Sequence, residues 1–269
     1  MAETFRSNSR HDIRAVFLDI DGTLFVDGQL VTSAQEAVSK LKERNIRVAL
    51  CTGRSTVHTR AIRNTLDIPD AVYFNGGLAV THTETVYSTP MKPHVVERAI
   101  HFSERNRIPM ILHTAHRTMI FRPLPQALTP ILQAYDYPPL EQTTPETWNG
   151  MEEPVYQLNL FMTRDWDTRV QSAFPECLLY RWHDHAVDLQ VRGSDKSHGA
   201  LALLDAWNIP AASALHIGDG GNDVGMFQVL GYSIAMGNAR AEVKQHAKWV
   251  TTSASEHGVW NAFHQLGII

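Results

Sequence analysis

The chain has 269 residues, 43% of them hydrophobic and 19% charged, with a formal net charge of −4. That length suits one large domain or two smaller ones, and an acidic balance without a long basic run argues against nucleic acid or an anionic membrane as partner. Two distant cysteines, Cys51 and Cys177, set neither a disulfide framework nor a zinc site, and no run of about eighteen apolar residues offers a membrane span.

Residues 1–12 are polar and lack the apolar segment of a signal peptide, so a loose tail and a cytoplasmic location are expected. Ala15 to Leu24 follow, an apolar run that ends in Asp19-Ile20-Asp21-Gly22-Thr23 and predicts a strand buried on both faces. A turn at Asp27-Gly28 precedes a helix, for which Ser33 and Glu36 suggest a capping box. Ile46 to Cys51 predicts a second strand, ending in Thr52-Gly53-Arg54, with Ser55 capping a helix to about Leu66. Val72 to Phe74 predicts a third strand, ending in Asn75-Gly76-Gly77. This alternation is that of right-handed βαβ units in a parallel sheet.

From about Thr83 to Ala186 the rhythm changes to an α+β set. Helices are expected at Val95–Arg105 and Pro123–Tyr135, and a hairpin at Met110–His113 and Thr118–Phe121. Pro138 to Pro154 is expected as loop, and Val155–Met162 and Leu178–Trp182 as strands. The βα rhythm resumes with a helix from Asp195 to Trp207, with Leu201, Leu203 and Leu204 on its apolar side. A strand Ala212–Ile217 then ends in Gly218-Asp219-Gly220-Gly221-Asn222-Asp223, and Tyr232–Met236 is one more. The fold class is therefore α/β: a Rossmann-like parallel-sheet core at 12–83 and 188–269, with an inserted α+β cap at 84–187 and hinges near Thr83–Thr85 and Ala186–Gln190.

Strand ends of a parallel sheet share one edge, so Asp19, Asp21, Thr52, Asn75, Asp219 and Asp223 are expected to converge there. Asp19 can attack as a nucleophile while Asp21 gives and takes a proton. Thr52 offers a hydroxyl, Gly53 backbone donors, and Lys196 a compact positive charge for a phosphate. Asp19 and Asp219 are hard oxygen ligands of the kind Mg²⁺ takes. Competing motifs fail: an EF-hand needs Gly and Glu where Leu24 and Leu30 stand, and Asp223 occupies the third glycine position of a dinucleotide fingerprint. His113-x-x-His116 and His183-x-His185 lack a third ligand at zinc spacing and are expected on the surface or facing substrate.

With these four stretches in order, the chain resembles the haloacid dehalogenase-like hydrolase superfamily. Its large insert, with Asn75-Gly76-Gly77 and Ala235-Met236-Gly237-Asn238-Ala239, is similar to the Cof-type subfamily, whose members carry an α+β cap. The resemblance implies a Mg²⁺-dependent phosphatase working through an aspartyl-phosphate on Asp19, with Asp21 as acid and base and Thr52 and Lys196 holding phosphate. Asp219, Asp223 and the Asp21 carbonyl complete the implied metal shell, and Gly53, Arg54, Asn75, Gly76 and Asn222 are expected along the substrate-binding edge. The implied partner is a small phosphorylated metabolite such as a sugar phosphate or phosphorylated cofactor. A phosphometabolite sensor with little turnover, or a phosphotransferase or mutase, would use the same residues.

Overall fold

The computed structural model describes residues 12–144, 148 and 153–269, so the tail before residue 12 and part of the loop expected at Pro138–Pro154 lie outside the described residues. Two compact units emerge. One joins the residues up to Gly53 with Arg60–Tyr87 and Asp195–Ile269, and the other joins Arg54–Thr59 with Ser88–Ser194.

The first unit is built on an eight-stranded sheet in the order Trp249–Val250, Tyr232–Ala235, Ala214–Gly218, Ala15–Leu18, Arg47–Cys51, Asp70–Tyr73, Leu78–Val80 and Thr85–Ser88. Pairing is parallel as far as Asp70–Tyr73, and Leu78–Val80 then runs antiparallel to it. The apolar runs explain this burial. Ala15, Phe17, Ala49, Cys51 and Val72 pack with Ala200, Leu203 and Leu204 of the helix Lys196–Ala206. Their alternate neighbours Val16, Leu18, Leu50 and Ile217 are equally buried, and the period of a strand turns these to the opposite face. From Ala15–Leu18 the chain adds strands on one side and later returns to Ala214–Gly218 on the other. The strand that carries Asp19 therefore lies at the topological switch point, where open α/β sheets form a crevice.

Several local expectations are corrected in this unit. The helix Thr32–Glu43 starts at Val31 without a side-chain cap; Ser33 lies inside its first turn, 2.9 Å from His257 Nδ1, so no capping box forms. The third strand ends at Tyr73, because Phe74 and Asn75 take left-handed backbone (φ 53° and 50°) that no strand continues. Leu201 is 39% exposed while Leu203 and Leu204 are buried. At Thr83–Thr85, expected as a hinge, the Thr81 amide donates to the Glu84 carbonyl and the Glu84 amide to Thr81 Oγ1, closing a tight turn between two strands of the same sheet.

The second unit holds a mixed six-stranded sheet in the order Glu141–Gln142, Thr118–Ile120, Met110–Thr114, Val155–Leu160, Ala186–Val191 and Cys177–His183. The hairpin and the two expected strands are present, and Ala186–Gln190, expected as a hinge, belongs to a central strand paired on both sides. Glu141–Gln142, expected as loop, pairs in parallel with Met119–Ile120. The helix expected from Pro123 begins only at Thr129 and ends at Ala134, since Pro130 is tolerated in a first turn and not further in.

One face of this sheet is an apolar core. Met110, Leu112, Leu158, Leu160, Val187 and Leu189 pack there with Val96 and Ile100 of the helix Pro93–Asn106 and with Val170. The other face carries buried polar groups: His113, Gln157, Asn159, Asp188 and Gln190. Asn159 Nδ2 donates to Asp188 Oδ1 at 2.5 Å, and Trp182 Nε1 donates to the same oxygen at 2.8 Å. Asn159 Oδ1 accepts from Tyr137 OH at 2.7 Å and from His113 Nε2. Burial pushes His113 down to about 4, against the Asn159 bond, and it pushes Asp188 up to about 7. The two histidine pairs of this unit form no metal cluster among the described residues.

Candidate active site

Each expected group stands where a strand of the first sheet ends. Asp19 follows Ala15–Leu18 and is 5% exposed, while Asp21 is exposed one turn further on. Thr52 follows Arg47–Cys51 and is fully buried; its carbonyl accepts from the Asn75 amide at 3.0 Å, tying two strand ends together. Asn75 Oδ1 in turn accepts from Asn222 Nδ2 at 2.8 Å, so Asn75 and Asn222 brace loops. Gly76 (φ +98°) lies so close to the Asp195 carbonyl that a Cβ there would come within 1.9 Å. That contact seats the start of the helix Lys196–Ala206, whose N-cap Asp195 accepts from the Ser197 amide at 2.8 Å. Gly53 is half-buried beside Asn75, and Arg54 is buried with its backbone grouped in the second unit.

The helix start delivers Lys196, fully buried, into the carboxylates. Its Nζ donates to Asp19 Oδ1 and to Asp223 Oδ1, each at 2.7 Å. Burial alone would lower the lysine, but the charges of Asp19 and Asp223 outweigh it and hold it well above its ordinary range. Burial raises Asp19 well above the usual carboxylate range; Lys196 opposes this, and Asp223 and Asp219 reinforce it. Asp223 goes the other way. Burial would raise it, but Lys196 and then His216 pull it below the ordinary value. Asp219 is pushed up to about 6 by burial and by Asp223, against Lys196.

Asp19, Asp219 and Asp223 offer ligand oxygens that all lie within 4.8 Å of one another. Such an all-oxygen, crowded anionic set suits a hard dication, whose charge would relieve the repulsion that adds to burial in raising Asp19 and Asp219. Asp21 is not in the triad. Gly22 (φ +71°) makes the close approach possible: a Cβ there would stand 2.2 Å from Asp219 Oδ2. Asn238 Nδ2 donates to that oxygen at 3.0 Å and to the Gly22 carbonyl at 2.9 Å, fixing Asp219 from the next strand's loop.

Two residues of the site escaped the sequence reading. Asn238 lay within a stretch recognised only as a resemblance. His216, fully buried in the strand Ala214–Gly218, bonds Asp223 Oδ1 at 2.8 Å. A lone histidine inside an apolar run was the available signal, because a buried polar group needs a partner.

The family model for haloacid dehalogenase-like hydrolases matches residues 16–263. A relative in Bacillus subtilis (strain 168), 5-amino-6-(5-phospho-D-ribitylamino)uracil phosphatase YwtE, is 26% identical over 288 residues, covering 94% of this chain and 98% of the relative. A solved hypothetical protein from Geobacillus kaustophilus HTA426 is similar with a TM-score of 0.87 at 28% identity, over 96% of this chain and 100% of that one. The subclass IIB sugar phosphatase BT4131 shares the fold, with a TM-score of 0.82 at 24% identity over 95% of this chain and 100% of its own. The chain belongs to the haloacid dehalogenase-like hydrolases and is one of the family's phosphatases.

Proposed function

We propose that the protein hydrolyses small phosphomonoesters with Mg²⁺, using Asp19 as nucleophile. The observation that carries this reading is Lys196 Nζ, held 2.7 Å from Asp19 Oδ1 and 2.7 Å from Asp223 Oδ1 inside the carboxylate triad. Asp19, Asp219, Asp223 and the Asp21 carbonyl would hold the cation. Bound there, it would supply positive charge to the phosphoryl oxygens and neutralise the triad.

An oxygen lone pair of Asp19 attacks phosphorus, and the ester P–O bond breaks with its electron pair moving to the leaving oxygen. Asp21, exposed beside it, gives that oxygen its proton. Asp21 then takes a proton from water as the water oxygen displaces Asp19 and releases phosphate. Lys196 keeps Asp19 available as a carboxylate against the burial that favours its neutral form. Thr52 and the Gly53 amide hold phosphate oxygens, with Asn75, Gly76 and Asn222 bracing the loops around them.

A small phosphorylated metabolite with a hydroxylated leaving group is the proposed substrate class. The ribitylamino-uracil phosphate named for YwtE is one member of the panel to try. The test is phosphate release from that panel with Mg²⁺ and with chelator, for the wild type and Asp19→Asn. Mg²⁺-dependent release that the variant abolishes, at least about 1000-fold, is expected. Full turnover in Asp19→Asn would refute the mechanism, and binding without release would leave a phosphometabolite sensor.

A further inference from the structure

His216 has acceptors on both ring nitrogens. Nε2 stands 2.8 Å from Asp223 Oδ1, and Nδ1 stands 3.1 Å from the carbonyl oxygen of Phe17, on the strand that leads into Asp19. The ring therefore links the strands Ala15–Leu18 and Ala214–Gly218 beneath the site, fully buried, with Phe227 at 5.6 Å from its centre.

We propose that His216 is a positioning residue for the phosphatase reaction: it pins Asp223 so that Lys196 is shared between Asp223 and Asp19. The proposal rests on the reading of Asp19 as nucleophile. Three donors from three segments fix the Asp223 carboxylate: His216 Nε2 and Lys196 Nζ on Oδ1, and the Gly220 amide on Oδ2 at 2.9 Å. Lysine ends in a compact ammonium on a flexible four-carbon stem, so its acceptors decide where it stands. With His216 in place, Lys196 is equidistant from Asp19 and Asp223. Without it, Asp223 Oδ1 keeps Lys196 as its one side-chain donor among the described residues and draws it away from Asp19. The Asp19 carboxylate then loses the partner that opposes its burial.

A fall in kcat at nearly constant KM, partly restored by a side chain that keeps one donor, separates positioning from mere packing. The full chain is compared with His216→Leu and His216→Gln by turnover of p-nitrophenyl phosphate and, without substrate, by Mn²⁺ binding read from the free-ion electron paramagnetic resonance signal. His216→Leu is expected to lower kcat about 10–100-fold with KM changed less than about threefold. Its Mn²⁺ affinity is expected to stay within about threefold of wild type, because Lys196 and the Gly220 amide still hold Asp223. Glutamine keeps one donor for Asp223 and is expected to recover part of kcat. Values of kcat within about twofold of wild type in both variants would overturn the proposal, as would a parallel fall of kcat and Mn²⁺ affinity in His216→Gln. Should His216→Leu lack a folded circular-dichroism spectrum, His216→Gln carries the same two readouts. Failure of the wild type to release phosphate from any ester would instead sink the phosphatase reading. The proposal, which positions groups for that reaction, would fall with it.

Discussion

Exchanging Asp188 for asparagine isolates the electrostatic cost of the polar face in the second unit. Burial raises this carboxyl from an ordinary 3.8 to about 7, and the hydrogen bonds from Trp182, Asn159 and Gln157 pull it back only in part. The titratable groups around it include His113, Tyr137 and, across the strand pair, Tyr180; among the described residues no charged neighbour contributes to the shift. At about 1.36 kcal/mol per pKa unit, the difference amounts to about 4 kcal/mol. The sign follows from the raised folded value. Below 3.8 the group is neutral folded or unfolded and imposes no penalty; as pH rises towards 7 the unfolded chain ionises first, and stability is lost. Between pH 5 and 8 the wild type should lose about 2–3 kcal/mol that Asp188→Asn retains. Asparagine keeps an acceptor oxygen for Trp182 and Asn159, and His113 is common to both proteins and cancels. Urea unfolding at pH 5, 6, 7 and 8, followed by tryptophan fluorescence, measures the difference. Two stability curves that stay parallel within about 0.5 kcal/mol across that range would refute the argument.

Lys196→Met leaves Asp19 and Asp223 buried without their cation, and urea unfolding should show a loss of about 3–5 kcal/mol along with loss of phosphate release. Gly22→Ala drives a methyl group into the Asp219 carboxylate from a left-handed backbone position, and should weaken Mn²⁺ binding about tenfold or more in a titration. Asp21→Asn should slow phosphate release about 100- to 10,000-fold while leaving Mn²⁺ binding by the triad in place.

The parts of the site that were legible in sequence are those where an apolar run stops at a polar turn. Asp19, Thr52 and Asp219 each mark such a stop, and the parallel sheet does the rest by bringing those ends to one edge. Lys196 was legible as a charge at a helix start, but not as a fully buried one. His216 was hidden because strand periodicity assigns its position to the core without saying what a polar atom there would meet. The place of Ala186–Val191 inside a sheet was hidden for the converse reason, since the partners of Asp188 and Gln190 lie on a strand distant in sequence. The capping box at Ser33 fails because the helix already starts at Thr32, which puts Ser33 inside the first turn, where its hydroxyl meets His257 from the far end of the chain. Pro125 and Pro130 bracket a helix start that composition alone placed too early.

The central strand of the first sheet has a consequence for how the protein is made. Ala15–Leu18 pairs on one side with Arg47–Cys51 and on the other with Ala214–Gly218. During synthesis the first pairing becomes available early, whereas the second waits for about 196 more residues, about 10–40 s at ribosomal speed. For that interval the strand that ends in Asp19 presents an open apolar edge, the kind of template on which nascent chains aggregate. Ser88–Ser194 emerges meanwhile with most of its own contacts in hand and can condense as a unit. Chaperone demand should therefore peak after the second unit is complete and end once Gly218 clears the exit tunnel.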